Sequence, residues 1–199
     1  MRLHMCPPMR PLFTSRPGLR QHGGAGGFTL LEALVVLALL GILVTMAAPA
    51  MSDLRARHQL QAQAQGLLDS LVLARSEALR RQQRVSLCAK ASDSTCDANG
   101  HWQQGWLVFV DANNNALHDE GEVLIEAHAP LPAAVQLGVT NTVKAYFSYG
   151  AEGRSISTNG AFMAGTWRFC QASSSLGWQV ISNSLGKPRI EKYTPQDCP

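Results

Sequence analysis

Residues 23–50 read GGAGGFTLLEALVVLALLGILVTMAAPA, and the fold turns on this stretch. From Phe28 to Ala50 it supplies 23 mostly apolar residues. A bilayer core of about 30 Å needs roughly 20 helical residues at 1.5 Å each, so the run is long enough to span. One carboxylate, Glu32, stands inside it. Near the middle of a spanning helix a carboxylate costs about 2.5–3.5 kcal/mol, and one retained there signals a function. Two plainer readings, a secretory signal peptide cut near Ala48-Pro49-Ala50 and a simple membrane anchor, leave Glu32 without a reason.

A cut between Gly27 and Phe28 supplies the reason. Phe28 then carries a new ammonium, and Glu32 lies four residues on, over the same helix face. A carboxylate in the first turn also meets the positive end of the helix dipole. Among parallel helices, the same carboxylate can pair with a neighbour's ammonium and set the axial register of a polymer.

The residues before the cut fit a leader. Arg2, Arg10, Arg16 and Arg20 are accompanied by no acid, and Pro and Gly are frequent. A basic, polar leader before an apolar run is an export signal, with Met5 and Met9 as alternative starts to Met1. Without the four leader arginines, thirteen bases face fourteen acids, a formal charge of −1. Any anion-binding role must therefore rest on local clusters. The leader also removes Cys6, leaving Cys88, Cys96, Cys170 and Cys198. An even count in an exported chain points to two disulfides. Proximity in sequence favours Cys88–Cys96 and Cys170–Cys198 among the three possible pairings.

Beyond the apolar run, Leu60, Ala64, Leu67, Leu71, Ala74 and Ala78 step by four and three, one stripe of an amphipathic helix. Arg55, Arg57, Gln61, Gln65, Asp69, Arg80 and Arg81 occupy the opposite, solvated side. No proline interrupts residues 52–84, so this helix continues the apolar one. After Arg84 short β-rich runs alternate with turn residues, at 85–89, 106–110, 122–126, 135–139, 144–149, 166–171, 177–182 and 188–192.

Gly27-Phe28-Thr29-Leu30-Leu31-Glu32 resembles the type III signal of type IV pilins and type II secretion pseudopilins. The resemblance implies a prepilin peptidase that cuts after Gly27 and methylates Phe28. Gly41 and Pro49 stand where such chains often carry Gly and Pro, and Pro49 is expected to loosen the helix. In the globular half Ala74-Arg75-Ser76-Glu77-Ala78, Arg84-Val85-Ser86-Leu87-Cys88, Gly105-Trp106-Leu107-Val108-Phe109 and Gly186-Lys187-Pro188-Arg189-Ile190 together resemble the GspH/FimT group of minor pilins and pseudopilins.

The resemblance implies an α+β, pilin-like fold, a long N-terminal helix on a mostly antiparallel sheet or sandwich. The expected layout is a cleaved leader over 1–27, a transmembrane and assembly helix over 28–50 and its amphipathic continuation over 51–84. A β-rich periplasmic or extracellular domain follows over 85–199. Such a chain sits in the inner membrane as a single-pass protein, in contact with its lipid, and then enters a pilus or pseudopilus beside other pilins.

Two further constellations carry expectations. Asp111, Asn113, Asn115, Asp119 and Glu122 fall at positions 1, 3, 5, 9 and 12 of a loop with EF-hand spacing, though Ala116 replaces the glycine at position 6. The loop reads first as an Asx-rich hairpin connection and second as a calcium site. Charge is also uneven. From Lys144 onward six bases face Glu152, Glu191 and Asp197, whereas residues 85–143 hold Lys90 against seven acids. Gly186-Lys187-Pro188-Arg189 resembles the Gly-Arg-x-Arg motif of DNA-binding FimT proteins, with Lys187 in place of the first arginine. Lys keeps the charge and loses the bidentate fork. Arg168 and Lys192 are candidates to join Lys187 and Arg189 on a DNA backbone. The alternative for these charges is a solvated edge strand protected by charge.

No catalytic set is visible. His58, His101, His118 and His128 lack metal-ligand spacing, and no motif frames a nucleophile. The sequence therefore predicts a substrate of a peptidase rather than an enzyme. Its first expected function is a FimT-like minor pilin that helps bind DNA in natural transformation. The second is a type II secretion pseudopilin, and the third a calcium-binding exported module.

Overall fold

The computed structural model describes residues 27–172, 174–196 and 198, and the side chains of all of these but 46–50. Apart from Gly27, the leader expected over 1–27 lies outside them. The chain divides into two compact units, residues 1–43 and 44–199.

In the first unit, helix α1 (Leu30–Arg81) begins. Its large side chains there are exposed, from Phe28 at 79% through Leu31, Leu34, Leu37, Leu40 and Leu43. Among the described residues this is an apolar surface of the extent that marks an interaction or membrane face.

In the second unit, the stripe read from the sequence is the spine of the core. Leu60, Ala64, Leu67, Leu71, Ala74 and Ala78 are all completely buried. α1 ends where Gln82 turns left-handed (φ 54°), and the Gln82 side-chain Nε2 donates to Leu79 O at 2.8 Å. Arg80 and Arg81 stand in the last turn, where their charge suits the helix dipole, and both reach Glu77 at 2.6 Å. The hydrogen bonds from Arg80 and then Arg81 hold the Glu77 carboxyl down at about 2. A depressed carboxyl adds stability above its unfolded value, and that contribution is lost as pH falls towards 2.

Two antiparallel sheets complete the unit. In the first, β1 (Val85–Ser92) lies between β3 (Trp106–Val110) and β6 (Tyr146–Tyr149). β4 (Leu124–Ala127) extends β3, and β2 (Thr95–Cys96) folds back on the end of β1. The second sheet has the order β5 (Gln136–Val139), β7 (Gly165–Cys170), β8 (Gly177–Ser182), β9 (Pro188–Tyr193). All eight runs read from the sequence are strands, and the two-residue β2 is an addition.

The core joins the helix stripe to both sheets through Val85, Leu87, Trp106, Val108, Phe147, Trp167, Phe169 and Val180. β1 is buried on both faces along 85–90, because Cys88, Leu107 and Phe109 form a second small cluster on the side away from the helix. Trp106 shows how a polar tip is buried: its indole N–H donates to Ser70 Oγ at 3.0 Å, and Ser70 in turn donates to the Glu126 carboxylate at 3.1 Å.

Cys88 is bonded to Cys96 and Cys170 to Cys198, the pairing expected from proximity. The second bridge closes 28 residues and ties the chain after β9 back to β7. Replacing Cys170 and Cys198 by serine is expected to cost about 3.5 kcal/mol by loop-closure entropy. Urea unfolding of the oxidised variant would show it as a lower midpoint with a similar slope. An unchanged midpoint would mean the bridge restrains nothing in the unfolded chain.

Candidate functional site

Three places hold the residues singled out in the sequence. At the start of α1, Thr29 is the N-cap: its carbonyl accepts Ala33 N–H at 3.1 Å, and its Oγ1 accepts Glu32 N–H at 3.2 Å. Thr29-Leu30-Leu31-Glu32 thus has the spacing of a capping box, with Glu32 at N3. The spacing is legible in the sequence, and the bond observed uses the Glu32 backbone N–H, which any residue at 32 supplies. Gly27 is different. A Cβ there would meet no heavy atom of the described residues within 4 Å, and the same holds for Gly41. Gly41 lies inside α1, where glycine costs about 1 kcal/mol relative to alanine, and packing among the described residues explains neither glycine.

The second place is the turn before β9. Gly186 is buried with φ 70°, and a Cβ on it would lie 2.5 Å from Gly153 O and 2.9 Å from the Tyr149 ring. The turn is closed by Asn183, whose Oδ1 accepts Leu185 N–H at 3.1 Å and Lys187 N–H at 3.2 Å. Gly186, expected with the motif among the DNA-contacting residues, is therefore required by packing, and its buried backbone is not open to a phosphate. Arg75 on α1 holds the opposing loop, donating from Nε to Gly153 O at 2.9 Å. Its part in placing this turn was invisible to sequence reasoning, since the two segments are far apart in the chain.

Strand alternation then divides the four expected cations. Lys187 and Arg189 are exposed. Arg189 pairs with Ile181 across β8–β9, while Arg168 shares a cross-strand row with Gln179 and Glu191. Arg168 and Arg189 therefore lie on one face of the second sheet. Lys192 lies on the other face, its Nζ 5.3 Å from the centroid of the Trp178 ring. It does not join the other three. Arg189 also carries a counter-charge: its Nε donates to Glu191 at 2.6 Å, which pulls the Glu191 carboxyl below its ordinary value.

The third place is the 111–122 loop. Asp111 is fully buried, accepting Asn115 and Ala116 N–H at 3.0 Å each and the Ser86 hydroxyl at 2.7 Å. Glu122 accepts Ala112 N–H at 2.8 Å and Asp119 N–H at 3.1 Å. The Asn113 and Asn115 amides both donate to Asp119 Oδ2 at 2.7 Å, and these bonds hold its carboxyl below the usual range. Ala116 takes the left-handed turn (φ 61°) that position 6 demands. The loop closes on its own N–H donors, as an Asx-rich connection does. Among the described residues no group of three or more His, Cys, Asp or Glu is placed to hold a metal ion.

Comparison with known proteins agrees with this architecture. A family model described as type II transport protein GspH matches residues 63–186. A model of the prokaryotic N-terminal methylation motif matches residues 24–48. The pilin-like protein PilA1 of Thermus thermophilus is 36% identical over 102 residues, which are 51% of this chain. The match spans 58% of that relative's own length. Among solved structures, the type IV minor pilin FimU of Pseudomonas aeruginosa superposes with a TM-score of 0.53 at 22% identity, covering 72% of this chain and 97% of that one. A second crystal form of FimU has a TM-score of 0.51 at 21% identity, covering 70% and 100%. At these identities the structural likeness is one of fold.

Proposed function

The chain belongs to the GspH family, and on that premise we propose that it is a minor type IV pilin, cut after Gly27, anchored by α1 and then built into a fibre. The observation that carries this reading is the placement of Gly27-Phe28-Thr29-Leu30-Leu31-Glu32 at the start of one long helix. The exposed apolar half of that helix precedes a buried half that organises two sheets. Among the described residues no helix is long and apolar enough to cross a membrane. The apolar part whose side chains are described, 30–45, is shorter than the roughly 20 residues of a span. The sequence continues the apolar run to Ala50. Prepilin peptidase, other pilins and inner-membrane lipid are the partners this reading requires.

Within it, the fibre's task is to bind DNA for uptake, through Lys187 and Arg189 with Arg168 on the same sheet face. No base-reading arrangement accompanies these residues, so contact is with the backbone. Three phosphates at most are neutralised, and Glu191 already engages Arg189. The affinity for duplex DNA is therefore expected to be weak, with log K falling against log salt at a slope of about −2 to −3. Several subunits in one fibre would compensate for weak single sites.

Titration of labelled duplex with the full chain in detergent, at low and moderate salt, tests this against Lys187→Gln/Arg189→Gln. The wild type should bind at low salt and the variant clearly less. Equal binding, or none by either, would favour the second reading, a type II secretion pseudopilin. That reading has the family description on its side.

A further inference from the structure

Within the globular unit, Leu54, Arg57, His58 and Gln61 of α1 face Leu176, Trp178 and Lys192 across a groove of about 170 Å³. The groove combines an apolar floor with a cationic rim. Leu54 is 48% exposed, and Trp178 is half-buried. The Lys192 ammonium lies over the Trp178 ring, its Nζ 5.3 Å from the centroid, so charge and indole line the same groove together. Arg57 stands on the helix side with Asp53 at 2.6 Å, so the rim carries two fixed bases, one carboxylate and the exposed His58.

Position decides between ligands. Leu54 follows Ala50, the end of the apolar run, by four residues, or about 6 Å of helix rise. Arg75, which holds the loop against the Lys187 turn, lies about 25 Å farther along α1 from Arg57. β9 runs from that distant turn back towards the groove and delivers Lys192 to it. Trp, Lys and Arg directly beyond an apolar span are the residue types that settle among lipid headgroups. A nucleic-acid strand would meet the same charges, but Leu54 and Arg57 follow the apolar run by only four and seven residues along the chain.

We infer that this groove receives the headgroup of an anionic phospholipid, its phosphate met by Lys192, Arg57 and His58 and its glycerol region by Trp178 and Leu54. The inference rests on the membrane-anchored reading above and adds a specific lipid contact to it. Such a contact holds the globular unit at the bilayer surface before assembly and must be released when the subunit enters a fibre.

The test is native mass spectrometry of the full chain in detergent micelles, with phosphatidylglycerol or phosphatidylcholine added. Wild type should retain phosphatidylglycerol about tenfold better than Arg57→Gln/Lys192→Gln, with phosphatidylcholine retained alike by both. Lys192→Arg, which keeps the charge, should behave as wild type, and so should Lys187→Gln/Arg189→Gln at the far end. Equal phosphatidylglycerol retention by wild type and Arg57→Gln/Lys192→Gln would overturn the inference. So would loss of duplex DNA binding with lipid retention intact, which would make the groove a nucleic-acid site. A wild-type chain that carries neither lipid and leaves the membrane fraction would overturn the anchored reading itself.

Discussion

Gly27→Val is expected to leave the leader attached and to abolish entry into fibres, while the globular unit folds as before. Nothing in the described structure restrains residue 27: a Cβ there meets no heavy atom within 4 Å, and Phe28 beside it is 79% exposed. Among the described residues, then, nothing requires glycine at this position. A peptidase that grips extended backbone at the cut needs close approach, and a β-branched side chain obstructs it. Intact mass and N-terminal sequencing of membrane extracts read the outcome directly. Wild type should begin at Phe28, methylated, and the variant should keep the residues before it. A variant that also begins at Phe28 would show that glycine is dispensable for cutting. A wild-type terminus near Met51 would make the run a conventional signal peptide and remove the pilin reading.

The charge of Glu32 can be separated from the start of the helix by choice of substitution. Glutamine keeps the hydrogen-bonding pattern of a Thr-x-x-Gln capping box and removes only the charge. Glu32→Gln is accordingly expected to be cut normally and to start α1 normally, yet to enter fibres at a small fraction of the wild-type level. On the reading proposed above, the partner lost is the Phe28 ammonium of a neighbouring helix, a pairing far stronger in an apolar setting than in water. Thr29→Ala makes the complementary change: it removes the Oγ1 that accepts Glu32 N–H and should cost about 1 kcal/mol of helix start, with the charge intact. Immunoblots of sheared fibres against whole-membrane amounts compare the two. Normal assembly of Glu32→Gln together with poor assembly of Thr29→Ala would mean the capping box alone explains the residue.

The strands were readable because burial leaves a local imprint. The continuous apolar run at 106–110 and the alternation in 166–171, each bounded by turn residues, mark a strand buried on both faces and one buried on one. The helix stripe was readable for the same reason, since six apolar or small residues at steps of four and three can share one buried face only in a helix. Ser70 was not, because a serine in that stripe looks like an interruption until Trp106 and Glu126 arrive to satisfy it. β2 escaped as well: two residues carry no periodicity, and its pairing follows from the turn after β1.

The cationic candidates show where local reading stops. In the sequence, Lys187, Arg189 and Lys192 look like one cluster closing the chain, with Arg168 as a loose associate. Folded, Arg168 belongs with Arg189, and Lys192 has left for the opposite face and the opposite end of β9. An odd separation along a strand puts side chains on opposite faces, while the partner across the sheet depends on register that no short motif encodes.

By itself, the sequence determined the family, the long helix with its two halves, the order of the strands and the candidate cut beside Phe28. Each of these is written in residues that are adjacent or periodic along the chain. Only the tertiary structure decided that Gly186 serves packing against Gly153 and Tyr149, that Glu191 answers Arg189, and that Asp111 is spent on Ser86 and its own loop. It also decided that Trp178 and Lys192 line one groove with Arg57 of α1. These are contacts between segments distant in the chain, formed when burial of the helix stripe brings both sheets against one core.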